Sequence, residues 1–190
     1  MELEIEAQRS GRNKDTIVNK SYISSGEYRR KLDKIVDDKN LARLLYSVAS
    51  NMLKNVSGNT FEEMYWIDPI SNEIIARETN QSTPGQIIYS QSTIKAIKKH
   101  KHLITLHTHP HSFPPSVEDF NSNFQNNYLY GIIICHDGKI FVYSSLEFIN
   151  EQYFQLVIKD FMKKCNNEFE AQHLAIEKLK ENRNITCWEV

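Results

Sequence analysis

A short apolar run that ends in two histidines constrains the fold of this chain more than any other feature. Residues 103–107 are predicted to form a buried strand, and the run continues to His109 and Pro110. Side chains at positions i and i+2 of a strand point to the same face, so His107 and His109 converge while Thr108 faces away. The run therefore predicts a strand that presents two imidazoles at its C-terminal end.

An aspartate follows these histidines in a pattern that is typical of a helix start. Ser116 precedes Asp119 by three positions, and serine is among the residues preferred at a helix N-cap. A strand, a loop and a helix that begins near Ser116 would bring Asp119 back to His107 and His109. Two imidazoles and a carboxylate are ligand types that Zn²⁺ favours, and a catalytic zinc site keeps one further position open for water. The sequence thus predicts a zinc site formed by His107, His109 and Asp119.

The loop between these ligands contains two residues whose roles stay open. His111 is an alternative fourth ligand, but a site closed by four protein ligands is structural rather than catalytic. Because Pro110 interrupts the strand, we expect His111 to be exposed at the rim of a cleft. Phe113 is expected to be partly exposed, where it either contacts a substrate or stiffens the loop.

The rest of the pattern predicts an α/β fold of the α+β kind, in which a mixed sheet is flanked by helices. Apolar residues recur at helical spacing from about residue 27 to residue 56, and again from Glu151 onward. Asp137 and Gly138 form a strong hairpin signal between two strands. The predicted strands are 61–67, 73–78, 103–107, 131–135 and 140–143, with 185–190 as a terminal strand or a docked segment.

The composition indicates one ordered domain and gives no support for a nucleic-acid or membrane partner. The chain has 190 residues, of which 40% are hydrophobic, enough for one ordinary core. Its 23 basic and 24 acidic side chains leave a net charge of −1. No segment approaches the roughly 20 apolar residues of a membrane span, and the N-terminus lacks the apolar core of a secretory signal. Its 3 cysteines are too few and too widely spaced for a disulfide framework, so a cytoplasmic location is expected.

The histidine-containing segment resembles the JAMM motif of the JAB/MPN metallopeptidase family, written His-x-His-Pro, a spacer and Ser-x-x-Asp. Every fixed position of that motif is filled here, by His107, His109, Pro110, Ser116 and Asp119. The spacer is five residues long, shorter than in many members of the family, which affects the loop more than the ligand set. The resemblance implies a JAB/MPN-like fold with a cytidine-deaminase-like three-layer arrangement.

The resemblance covers about residues 58–146, and the polar and helical patterns on either side of it divide the chain into four parts. A flexible N-terminal arm is expected over 1–25, followed by N-terminal helices over 26–57. The JAB/MPN-like metallopeptidase core spans 58–146, and C-terminal helices span 147–190. The helices outside the core are expected to form an accessory or partner surface.

The resemblance also implies an upstream glutamate that opens the first strand of the core and acts as general base. Residues 61–67 contain Glu62 and Glu63, which strand periodicity places on opposite faces. Both faces are mixed, so the pattern alone does not choose between them. The position of the glutamate relative to the end of the strand in the family favours Glu62, with Glu63, Glu73 and Glu78 as alternatives.

The function implied by the resemblance is zinc-dependent hydrolysis of a peptide or isopeptide bond. His107, His109 and Asp119 would hold Zn²⁺, Glu62 would transfer the proton, and Ser116 would donate a hydrogen bond to the oxyanion. The implied substrate is a protein or peptide, such as a ubiquitin-like conjugate or a protein tail. Two alternatives remain: a non-catalytic scaffold of the same fold, and a DNA-repair or phage-associated protein of the same fold.

Overall fold

A computed structural model describes residues 16–79 and 81–190, which contain both helices and strands. The helices are α1 (Lys20–Ile23), α2 (Gly26–Asp33), α3 (Lys39–Val56), α4 (Gln91–Ile97), α5 (Val117–Gln125), α6 (Glu151–Met162) and α7 (Glu168–Asn182). The strands are β1 (Met64–Asp68), β2 (Glu73–Glu78), β3 (Ile104–His109), β4 (Tyr130–Cys135), β5 (Ile140–Ser145) and β6 (Ile185–Glu189). None of the helices in these ranges has the length and apolar composition needed to cross a membrane.

The strands of the described ranges form one six-stranded sheet in the order β2-β1-β3-β4-β5-β6. β3 and β4 run parallel, whereas β1 pairs antiparallel with β2 and β3, and β5 pairs antiparallel with β4 and β6. The chain passes from β3 to β4 through α5, as a parallel connection requires. The predicted fold class, a mixed sheet flanked by helices, is therefore confirmed.

Helices pack on both faces of the sheet, so the domain has three layers. α1, α2 and α3 cover one face, where Leu45, Met52, Leu106 and Ile132 belong to one buried cluster. α5, α6 and α7 cover β4, β5 and β6 on the other face, and α4 packs beside β1 and β2. His107 pairs in register with Met64 of β1 and projects to this second face. The candidate site therefore lies on the face covered by α4 to α7.

The N-terminal boundary differs from the sequence prediction of a flexible arm over 1–25. Residues 1–15 lie outside the described residues. Residues 16–25 instead pack on the domain: α1 lies here, and Val18 and Ile23 are buried in the first cluster. The Val18 N–H also donates to Ser57 Oγ at 3.1 Å. Isolated apolar residues without periodicity gave no helical signal in this segment, although the core buries them.

Two other boundaries are also shifted relative to the prediction. β1 begins at Met64 rather than at residue 61, so Glu62 and Glu63 lie in the extended segment that leads into the strand. The C-terminal segment predicted as helices over 147–190 contains α6 and α7, and it also supplies β6, which pairs with β5. The last strand thus joins the sheet of the predicted core.

Gly131 of β4 has no side chain, and the ring of Tyr143 on β5 occupies the space where one would lie. A Cβ atom at Gly131 would lie 2.2 Å from Tyr143 Cζ, and the tyrosine is only 2% exposed. Gly131→Ala is therefore expected to lower the free energy of unfolding by about 1–3 kcal/mol, because overpacking displaces a buried ring. Urea denaturation measures this change. Gly26→Ala is the control, since a Cβ there meets only ordinary contact, and equal stability of both variants would contradict the prediction.

Candidate metal centre

The structure brings three predicted ligands together at the C-terminal end of β3. His107 Nε2 lies 3.1 Å from His109 Nε2 and 3.2 Å from Asp119 Oδ1, and His109 Nε2 lies 3.7 Å from Asp119 Oδ2. Two atoms that each bind one zinc ion at about 2.0–2.1 Å in a tetrahedral arrangement lie about 3.3 Å apart. The observed distances match that separation. His107, His109 and Asp119 can therefore hold one metal ion between them.

Pairing of β3 with the segment that leads into β1 fixes the orientation of the two histidines. Thr108, which lies between them, donates its N–H to the Glu63 carbonyl at 3.1 Å. Its hydroxyl accepts the Glu63 N–H at 2.9 Å. These bonds extend the pairing between β1 and β3 by one residue and hold Thr108 on the α1–α3 face. The neighbouring imidazoles must then project to the face that carries the site.

A backbone carbonyl selects the tautomer of His109. Nδ1 of this imidazole lies 3.0 Å from the Phe113 carbonyl oxygen, which can only accept a hydrogen bond. Nδ1 therefore carries a proton that it donates to this carbonyl, and Nε2 points to His107 and Asp119. Such an outer hydrogen bond is the usual way in which a protein orients a histidine ligand.

The first turn of α5 holds Asp119 in place through a capping box. The Ser116 hydroxyl accepts the Asp119 N–H at 3.2 Å, and Asp119 Oδ2 accepts the Ser116 N–H at 2.8 Å. The predicted role of Ser116 as N-cap is confirmed. Its hydroxyl proton remains available to a further acceptor. Burial acts to raise the pKa of Asp119, but His107, His109 and the Ser116 N–H together hold that pKa well below its usual range.

Glu62 lines the same cavity as the three ligands and Ser116. This cavity has a volume of about 730 Å³. Burial raises the pKa of Glu62 to about 7; nearby His109 opposes that shift and Asp119 adds to it. The site therefore contains a carboxyl group that can exchange a proton near neutral pH. All five residues predicted for the site lie around this one cavity.

The alternative glutamates lie elsewhere in the structure. Glu63 points to the opposite face, is only 4% exposed, and interacts with Asn55 and Arg77. Glu78 accepts the Ser90 N–H at 2.7 Å, and Glu73 is exposed on β2. None of these three carboxylates lines the cavity described above.

The burial of Glu63 predicts a pH-dependent contribution to stability. Burial raises its pKa to about 7, against 4.5 for the unperturbed group, while the Asn55 hydrogen bond and Arg77 oppose that shift. The folded state therefore binds this proton more strongly than the unfolded state does. Protonation of Glu63 raises the free energy of unfolding most at low pH, and this contribution is lost as the pH rises through about 7. Between pH 5 and pH 8 the free energy of unfolding of the wild type should fall by about 2–3 kcal/mol more than that of Glu63→Gln, because glutamine cannot ionise. Urea denaturation at both pH values measures the difference, and parallel profiles would contradict the prediction.

Two loop residues take the positions that the sequence left open. His111 is exposed and lies at the cavity, as expected from the interruption of the strand at Pro110. The ring of Phe113 is half-buried and lies 6.3 Å from the ring of Phe169 in α7. The Phe113 ring thus anchors the loop to α7, while its carbonyl orients His109.

Sequence reasoning did not identify Gln172, Tyr89 and Tyr143 as residues that line the cavity. Gln172 of α7 donates from Nε2 to the carbonyls of Pro114 and Pro115, at 3.4 and 3.2 Å. Its helical segment gives no local signal of such a contact, because the contact depends on how α7 packs. Tyr89 and Tyr143 gave no signal either, because aromatic residues in apolar segments are as typical of an ordinary core as of a cavity wall.

The arrangement provides a metal-ligand set, a buried carboxyl group and a hydroxyl donor around one cavity. Neither a family model nor a curated protein nor a solved structure matches this chain. Inferences about function therefore depend on the positions of His107, His109, Asp119, Glu62 and Ser116. Such a set of groups suits metal-assisted hydrolysis, in which a water is activated and a developing oxyanion is stabilised.

Proposed function

We propose that this protein is a zinc-dependent metallopeptidase of the JAB/MPN type that hydrolyses a peptide or isopeptide bond. The observation that carries the proposal is the meeting of His107, His109 and Asp119 with Glu62 and Ser116 at one cavity. The sheet with helices on both faces is compatible with the proposed JAB/MPN-like, cytidine-deaminase-like three-layer fold.

The donor set supports zinc over the hard divalent cations. His107 and His109 offer imidazole nitrogens and Asp119 offers carboxylate oxygens, whereas Mg²⁺ and Ca²⁺ prefer sites made of oxygen ligands. Three protein ligands leave a position for water, which is the composition of a catalytic rather than a structural zinc site. When bound, zinc lowers the pKa of water from 15.7 to about 7 and so supplies a nucleophile near neutral pH.

The other two residues act on the proton and on the oxyanion. Glu62 accepts the proton of the attacking water and passes it to the nitrogen of the leaving amine as the C–N bond breaks. Ser116 donates its hydroxyl proton as a hydrogen bond to the oxyanion that forms from the carbonyl oxygen. The capping box leaves this proton free, because the Ser116 oxygen uses only a lone pair to accept the Asp119 N–H.

The proposed substrate is a protein or peptide, with a ubiquitin-like conjugate or a protein tail as the specific candidates, and the proposed location is the cytoplasm. A non-catalytic scaffold is the rival function. It has no need of a complete ligand set with Glu62 beside it, so the geometry favours the enzyme. A DNA-repair or phage-associated role of the same fold receives no support from the net charge of −1.

Two measurements test the proposed function. Metal analysis of protein purified without chelators should find about one zinc per chain, and a chain without zinc would exclude the site. Amine labelling of a lysate treated with wild type or with Glu62→Gln should then reveal amines released by the wild type alone. New α-amino groups indicate peptide hydrolysis, and new lysine ε-amino groups indicate isopeptide hydrolysis. Zinc binding without any released amine would favour the scaffold.

A further inference from the structure

The loop from Pro110 to Pro115 connects the two histidine ligands to the helix that carries Asp119. Its Phe113 carbonyl also holds the Nδ1 proton of His109. This carbonyl therefore orients the His109 imidazole so that Nε2 points to His107 and Asp119. Because the loop has no regular secondary structure, other groups must hold the carbonyl in place.

The β4–β5 hairpin holds the loop from one side through Asp137. Its Oδ2 accepts the hydroxyl proton of Ser112, and its Oδ1 accepts the Lys139 N–H at 3.0 Å. Ser112 is 9% exposed and Asp137 is 8% exposed, so water competes little for this charge-assisted bond. The carboxylate thus joins the hairpin turn to the residue that precedes Phe113.

α7 holds the loop from the other side through Gln172 and Phe169. Gln172 Nε2 donates to the two proline carbonyls that lie between Phe113 and Ser116. The Phe169 ring lies against that of Phe113, and Lys139 Nζ lies 4.3 Å from the Phe169 ring centroid. The hairpin and α7 therefore contact each other as well as the loop between them.

We propose that Ser112, Asp137 and Gln172 are positioning residues of the metal centre. They fix the loop so that the Phe113 carbonyl keeps the Nδ1 proton of His109 and directs Nε2 to the metal. This inference rests on the proposed metal site and deepens it. It also makes α7, which follows the motif in the chain by more than forty residues, a part of the site. Loss of such outer contacts typically costs about 10–100-fold in metal affinity.

The test uses Ser112→Ala with Ser145→Ala as a matched control. Ser145 is also buried, but its hydroxyl donates to the Glu147 carbonyl and not to a group that holds the loop of residues 110–115. Zinc affinity is measured by competition with a chromogenic chelator. The tautomer of His109 in the metal-free chain is read from long-range ¹H–¹⁵N NMR correlations of the imidazole.

The expected result is a loss of zinc affinity of about 10–100-fold for Ser112→Ala, with unchanged affinity for Ser145→Ala. The Nδ1–H tautomer of His109 should dominate in the wild type and in Ser145→Ala, and should give way to a mixture in Ser112→Ala. A purely structural role would lower the stability of both serine variants without changing the tautomer of either. Wild-type zinc affinity together with an unchanged tautomer in Ser112→Ala would overturn the inference.

Gln172→Ala keeps the inference testable if Ser112→Ala does not fold. Gln172 is half-buried on α7, and its removal is expected to weaken zinc affinity in the same range. Failure of the proposed function has a different signature: a wild type that binds no zinc excludes the metal centre. The tautomer of His109 then still decides whether the loop contacts orient the imidazole.

Discussion

Replacement of Glu62 by glutamine is expected to leave zinc bound and to lower turnover by about 10²–10⁴-fold. Glutamine has nearly the same shape as glutamate but cannot take a proton from water. Because Glu62 belongs to the cavity but not to the group of His107, His109 and Asp119, its substitution should not remove the metal. Steady-state rates and zinc content of the same preparations measure both parts of the prediction.

Glu63→Gln is the matched control for this experiment. It changes the adjacent residue in the same way, but Glu63 lies on the opposite face of the sheet, against Asn55 and Arg77. Its turnover should equal that of the wild type, while its stability near pH 8 should rise. Full activity of Glu62→Gln with loss in Glu63→Gln would move the proton transfer to Glu63 and contradict the proposed geometry. Loss of zinc in Glu62→Gln would instead make that carboxylate a ligand.

The sequence predicted the ligand set because its signal is local. Strand periodicity placed His107 and His109 on one face, and the helix start at Ser116 placed Asp119 in the first turn of α5. The parallel pairing of β3 with β4 explains why these three side chains meet in the structure. It requires α5 to cross the sheet from the end of β3, and this brings the N-terminal turn of α5 beside the histidines.

Other features depend on packing between segments that are distant in the sequence, and no local sequence pattern predicts such packing. Which of Glu62 and Glu63 faces the cavity follows from the register of β1 against β3, where Met64 pairs with His107. The burial of Val18 follows from its place in the cluster that contains Leu45 and Met52 of α3, which forms only when the chain folds. The contact of Gln172 with the loop requires α7 to lie against that loop, although α7 follows the motif by a whole hairpin and a helix.

His109→Ala is expected to weaken zinc binding by about 10²–10³-fold. Structural zinc sites contribute about 10–16 kcal/mol in total, so one of four ligands accounts for about 2.5–4 kcal/mol. His109 is the better ligand to replace, because its side chain is 12% exposed, against 3% for His107. An alanine at position 109 therefore disturbs the core less than one at position 107. Chelator competition gives the affinity. Added zinc should also raise the thermal midpoint of the wild type much more than that of the variant.

His111→Ala is the matched control, since it removes an imidazole from the same loop at the exposed rim of the cavity. It should bind zinc with wild-type affinity, because the group that can hold the metal comprises His107, His109 and Asp119. Equal losses in both variants would make His111 a fourth ligand. Four protein ligands would then leave no position for water, so the site would be structural rather than catalytic. That result would exclude the proposed peptidase activity.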